Sequence, residues 1–399
     1  MNHKERMLAA IRKEAVDRIP WAPRMDLWYI AHKARGTLPQ EFENLDMAGI
    51  ADKFNMACHA VGADYTLYRN PEEHFPLTGF VLDTHPDYPY RLELEGLPME
   101  FSSDGENFTT IITTPAGEIT THAVLNQEMK ENGISYPFVK SHPIKSPDDF
   151  EAVAQIFEHI KVIPTPQGYK QFQNRIGDKG LAVGLGLISA SPMHIILHGL
   201  MPMEMFFRAW GQHRDKLKKL ASRIEPFFES VLSAVLQCDA EVVFWGANYD
   251  QNTTWPPFFK EEIAPWLARV SKRLREKGKL LLTHTDGENK ALLPLYPSCG
   301  IDVAESVCPA PMTRCTLKEI RTGMGKETAI WGGIPSIVLL DAHMKEDEFD
   351  TYLAGLFREM DSGRGLILGV SDNVPPEVNL TRMEKIKSEI DRFGPVQSR

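Results

Sequence analysis

"LLLTHTDG", residues 280–287, is where the fold of this chain is decided. Three leucines and a threonine run without alternation into a histidine, an aspartate and a glycine. A run that is apolar at every position, and not at every second one, suits a strand covered on both faces in a parallel sheet. The polar residues arrive at its end, where parallel α/β sheets carry their chemistry.

Working outward, the chain holds seven more runs of this kind: "RIPWAPRM" (18–25), "GADYTLY" (62–68), "LAVGLGLI" (181–188), "AEVVFWGA" (240–247), "IDVAESV" (301–307), "TAIWGG" (328–333) and "RGLILGV" (364–370). Longer amphipathic stretches fall between them, at 201–237, 256–279, 345–360 and 378–393. Pro226 lies inside the first of these and is expected to kink or break its helix. Strands alternating with helices mean βαβ units, and eight strands predict an α/β fold of the (β/α)8 TIM barrel type. A doubly wound open sheet is the alternative. One segment departs from the rhythm. In "NFTTIITTPAGEITTHAVL" (107–125), two Thr/Ile-rich runs flank Pro115 and Gly117. This predicts a β-hairpin within an insertion at about 85–140, after the second strand, placed as a lid or substrate-contacting element. No linker or repeat interrupts the pattern, so residues 1–399 are expected to form one domain.

The bulk numbers narrow the function classes. With 43% hydrophobic and 25% charged residues the chain has the balance of a globular protein. No run approaches the ~18 apolar residues of a membrane span, so no membrane partner is expected. A formal net charge of −10 argues against a nucleic-acid partner. The opening "MNHKERMLAAIRKEAVDRIP" lacks the apolar segment of a signal peptide, and a cytoplasmic enzyme is expected. The five cysteines are odd in number and form no CxxC, which argues against a disulfide framework.

In a (β/α)8 barrel the site lies at the C-terminal ends of the strands. The residues there include Arg24, Asp26, Tyr68, Ser189, Ser191, Trp245, Asn248, Asp250, His284, Asp286, Glu305, Gly332, Gly333 and Asp372. So many polar groups at strand ends point to a site, because buried charge without a partner is costly. His284, Asp286 and Glu305 follow adjacent strands and can converge. Their nitrogen and oxygen donors suit a divalent metal such as zinc. Equally open are a helix cap at Asp286, a hydrogen-bonded core histidine at His284 and an arginine partner for Glu305. His198, Asp250 and Asp372 are the catalytic candidates. Arg24, Tyr68, Trp245 and Asn248 are the candidates for holding substrate. The glycines of "WGGIPS" (331–336) suit close backbone approach or a strand-to-helix turn.

The order of six motifs resembles the uroporphyrinogen decarboxylase superfamily over nearly the whole chain: "KERMLAAIRKEAVDRIPWAPR", "TTPAGEIT", "IKSPDDFEAV", "HTDG", "WGGIP" and "LGVSDNVPPEVNL". The resemblance implies one of two activities. One branch decarboxylates a tetrapyrrole without a cofactor. The other moves methyl groups to or from a corrinoid, with zinc at the barrel mouth. The decarboxylase pattern is incomplete here. Arg24 is present, but Trp28 stands where a second arginine belongs, His198 replaces a tyrosine and Val370 a histidine. The methyltransferase branch is the closer match. Its thiol-directed members bind zinc through His-x-Cys and a later Cys; here His284 is kept, Asp286 replaces the first cysteine, and "LILGVSDN" has no second. The implied function is transfer of a methyl group from a small methylated substrate, methoxylated compounds among the candidates, to cobalamin carried by a separate corrinoid protein. "DAHMKE" (341–346) lacks the final glycine of the corrinoid motif D-x-H-x-x-G. The resemblance also implies a homodimer. Two alternatives stay open: a metal-free decarboxylase or lyase with Arg24 holding a carboxylate, and a non-catalytic binding protein on the same fold.

Overall fold

The computed structural model describes residues 1–63 and 70–398. Six strands precede the main sheet: β1 (Tyr90–Leu94), β2 (Met99–Ser103), β3 (Asn107–Thr114), β4 (Gly117–Val124), β5 (Phe138–Ser141) and β6 (Ile160–Pro164). β2 to β5 form an antiparallel sheet in sequence order, and β1 pairs with β6. The hairpin expected at Pro115 lies between β3 and β4, whose register closes at Thr114 opposite Gly117. The Thr114 hydroxyl accepts from the Ala116 amide at 3.1 Å and donates to the Gly117 carbonyl at 2.9 Å, and Gly117 takes φ 141°. A side-chain hydroxyl thus satisfies the backbone of the turn, as Thr commonly does.

The main sheet contains β7 (Gly184–Leu185), β8 (Val242–Phe244), β9 (Leu280–His284), β10 (Val303–Val307), β11 (Ala329–Pro335) and β12 (Leu366–Ser371), in the order β12-β11-β10-β9-β8-β7. All its neighbours are parallel. Strands β8, β10, β11 and β12 are buried at every position, as their unbroken apolar pattern predicts. Extended segments adjoin both edges. Trp21 bridges Leu368 in parallel, and the Ala22 amide donates to the Leu368 carbonyl at 2.8 Å. On the other edge Cys58 bridges Gly180 and Val61 bridges Val183. The Ala57 amide donates to the Trp21 carbonyl at 2.7 Å, which joins the two flanking segments to each other.

The run expected as the second strand, 62–68, lies for the most part, with Tyr68, outside the described residues; the bridges just ahead of it fall at Cys58 and Val61. The break expected at Pro226 is displaced. Helix Arg214–Val235 runs through Pro226, and the interruption comes at His213, after helix Met203–Gln212. The missing bond at a helix-interior proline costs ~3 kcal/mol. Phe227, Phe228, Val231 and Leu232 are buried beside it at roughly 1.5–3 kcal/mol each, which outweighs that loss. Gly332 shows why glycine stands in β11. A Cβ there would lie 2.7 Å from both the amide and the carbonyl of Val307. The close approach is to a neighbouring strand.

Candidate active site

His284 ends β9 and Glu305 lies in β10, and the two are register partners across the parallel pair. Neighbouring residues in register put their side chains on the same face. The result is a hydrogen bond of 2.6 Å from His284 Nδ1 to Glu305 Oε2. The other carboxylate oxygen, Oε1, accepts from His59 Nε2 at 3.0 Å. Glu305 is only 3% exposed and so lies between two imidazoles with almost no water. The Thr285 amide and hydroxyl both donate to the Glu305 carbonyl, at 2.7 and 2.9 Å, and lock the ends of the two strands. Past Glu305 the register shifts, and Ser306 takes a left-handed φ of 57°.

Asp372, just past β12, lies 3.8 Å from His284 Nε2. It accepts from Arg24 Nη1 at 3.3 Å and from Asn373 Nδ2 at 2.9 Å. Arg24 grips Asp26 through Nε and Nη2, both at 2.9 Å. His59, Glu305, His284, Asp372, Arg24 and Asp26 therefore form one continuous chain of alternating base and acid.

Burial alone would strip the proton from His284. The Glu305 carboxylate overrides that, aided by Asp372 and Asp286, and holds the imidazole protonated up to about 9. Burial would likewise raise Glu305, but His284 and His59 hold it well below the ordinary carboxylate range. Asp286 has the opposite balance. Its burial, with the like charges of Asp372 and Glu305, raises its carboxyl despite His284. Burial disfavours the Arg24 charge too, yet Asp26 and Asp372 raise its pKa. A cleft opens beside this chain, lined by Arg24, Asp26, Met47, Cys58, His59 and Phe172.

Of the residues singled out from the sequence, the fold brings together Arg24, His284, Asp286, Glu305 and Asp372. Asp250 accepts from the Asn252 amide at 2.7 Å and the Glu288 amide at 2.9 Å, so its oxygens fasten two loops. His198 sits on a π-helical turn, Ile196–Leu200, with Nε2 3.4 Å from Asn248 Nδ2. Its Nδ1 is buried, with no partner among the described residues. Burial lowers its pKa and that of His194. Trp245 requires a correction: it is 0% exposed and its Nε1 donates to the Ala190 carbonyl at 3.1 Å, so it packs the core and offers no face to substrate. The residue missed is His59. Its only signal was its place in "ACHAVG", ahead of the run taken as the second strand.

The zinc expected on His284, Asp286 and Glu305 does not fit this arrangement. His284 Nδ1 and Glu305 Oε2 are bonded to each other, and Glu305 Oε1 is held by His59. Among the described residues, no group of three or more His, Cys, Asp and Glu is disposed to hold a metal ion. Nor is any helix among them long and apolar enough to cross a membrane.

No curated protein matches the chain. Among solved structures, a methyltransferase from Methanosarcina mazei aligns over 98% of this chain and 99% of its own, with a TM-score of 0.58 and 13% identity. That likeness is one of fold. Residues 120–393 match the family model for uroporphyrinogen decarboxylase (URO-D). This match spans more than half of the sequence and includes His284, Glu305 and Asp372, and the chain therefore belongs to the URO-D family.

Proposed function

We propose that this protein is a methyltransferase that takes a methyl group from a small methylated substrate and passes it to the corrinoid of a separate protein. The fold shared with a methyltransferase supports the reading, as does a family that folds as a TIM barrel. Within that reading the main sheet closes into an eight-membered barrel through the segments at 20–22 and 57–61, and residues 85–140 form an insertion beside the mouth. The hydrogen bonds between Ala57 and Trp21, and between Ala22 and Leu368, support the closure.

The observation that carries the chemistry is the 2.6 Å hydrogen bond from His284 Nδ1, at the end of β9, to the buried Glu305 carboxylate, which favours the protonated imidazole. A heteroatom that loses a methyl group keeps the electron pair of the broken bond, so its departure is eased by a proton. His284 is loaded with that proton at neutral pH and delivers it from Nε2, which becomes neutral and is recharged from solvent. Asp372 and Arg24 orient the Nε2 side of the ring. The partner's corrinoid supplies the nucleophile that accepts the methyl group. No step runs through zinc. The decarboxylase alternative is weakened because both ends of the Arg24 guanidinium are already held by Asp26 and Asp372.

The test is incubation with cob(I)alamin and a panel of methoxylated aromatics, methylated amines and thioethers, following formation of methylcobalamin. Transfer from one donor class, lost in His284→Gln, is expected. No transfer from any donor, together with release of carbon dioxide from a small carboxylic acid, would replace this reading with the decarboxylase.

A further inference from the structure

We infer that His59 is a positioning residue that orients His284 through Glu305. The inference adds to the acid role proposed for His284, but its test is independent of that role. A carboxylate held at one oxygen can still swing about its last side-chain bonds. Glu305 is held at both, by His59 Nε2 on Oε1 at 3.0 Å and by His284 Nδ1 on Oε2 at 2.6 Å. Its side chain is 4% exposed, so water does not replace a lost partner. The Glu305 backbone is locked by the Thr285 amide and hydroxyl, so what remains free to turn is the side chain, and the two imidazoles are what hold it.

His59 is itself fixed. Its ring meets the edge of Trp331, with centroids 4.9 Å apart, and Trp331 Nε1 donates to the Ala22 carbonyl at 3.0 Å. The Cys58 amide, next to it, donates to the Lys179 carbonyl at 2.8 Å. The restraint therefore passes from one edge of the sheet, through His59 and Glu305, to the end of β9. Its effect is to commit His284 Nδ1 to Glu305 and leave Nε2 facing Asp372. A buried carboxylate oxygen left without a donor seeks another, and rotation of Glu305 releases His284.

The test needs no methyl donor. A short hydrogen bond from an imidazole to a buried carboxylate gives a far-downfield, slowly exchanging proton resonance. In protein labelled with 15N-histidine, that signal is assigned to His284 Nδ1–H by its loss in His284→Gln. His59→Phe keeps a ring against Trp331 but removes the donor, and is expected to move the signal upfield or lose it to exchange while the thermal transition stays cooperative. His59→Gln supplies an N–H at similar reach and is expected to retain it. His59→Asn, too short to reach Oε1, serves if the Phe variant does not fold and is expected to behave as Phe does. An unchanged signal in folded His59→Phe or His59→Asn overturns the inference, whatever the methyl-transfer assay gives.

Discussion

Replacing Glu305 by Gln keeps the size and one acceptor but removes the charge that holds His284 protonated. The ordinary imidazole value is 6.5 and the folded one about 9, a difference worth roughly 3 kcal/mol. Because the folded value is raised, this stabilisation is complete below about pH 6.5, where the unfolded histidine is protonated too. It fades as pH climbs and is gone above about 9. Glu305 shows the same interaction from the other side. Its folded value is depressed, so its contribution is present above the ordinary 4.5 and is lost as pH falls towards the folded value. The two describe one ion pair and are not added. In Glu305→Gln, burial acts on His284 with only Asp372 and Asp286 opposing, and the imidazole is expected to titrate near or below 6.5. The assay follows the His284 ring proton in 13C-histidine-labelled protein from about pH 5 to about pH 10, with His284→Gln for assignment. Urea unfolding at the same pH values should show the parent losing roughly 3 kcal/mol more than the variant between about 6.5 and 9. A parent His284 titrating near 6.5, or equal pH slopes in parent and variant, would refute the electrostatic argument and with it the loaded acid.

Arg24→Met removes the cation shared by Asp26 and Asp372. Both carboxylates keep some access to water, so urea unfolding should register a loss of about 1–3 kcal/mol, smaller than for a fully buried pair. Arg24→Lys should restore only part of it, since one ammonium cannot reproduce the forked grip on Asp26. Two glycines should respond oppositely to alanine. Gly332→Ala drives a Cβ to 2.7 Å from the Val307 backbone and should leave the protein insoluble or destabilised by ~3 kcal/mol or more. Gly355→Ala, inside helix Glu346–Glu359 with nothing within 4 Å of the new atom, should raise stability by about 0.5–1 kcal/mol in the same assay. Elemental analysis of protein purified from zinc-replete medium should find far less than one zinc per chain; stoichiometric zinc lost in His284→Ala would show that the His284–Glu305 bond yields to metal.

By itself the sequence determined the strands β8 to β12 and the long helices that follow β8, β11 and β12, but not the helix Leu317–Gly323 between β10 and β11. Their signal is local: unbroken apolar runs for strands buried on both faces, and helical periodicity for the layer outside. The hairpin at Pro115 was legible for the same reason, since turn chemistry lies within four residues. His284, Glu305, Asp372 and Arg24 were legible as strand-end polar residues, because position along a parallel strand is also a local property. What their side chains do to one another was decided only by the tertiary structure. Register set His284 against Glu305, so that donors expected to surround a metal satisfy each other. The Trp245 ring was turned into the core, and Asp250 was drawn onto loop amides. Helix Arg214–Val235 continued through Pro226 because burial outweighed a backbone preference. His59 was invisible in the sequence because its partner is 246 residues away. A hydrogen bond between such distant residues leaves no periodic trace; it exists only once the sheet has brought the two strand ends together.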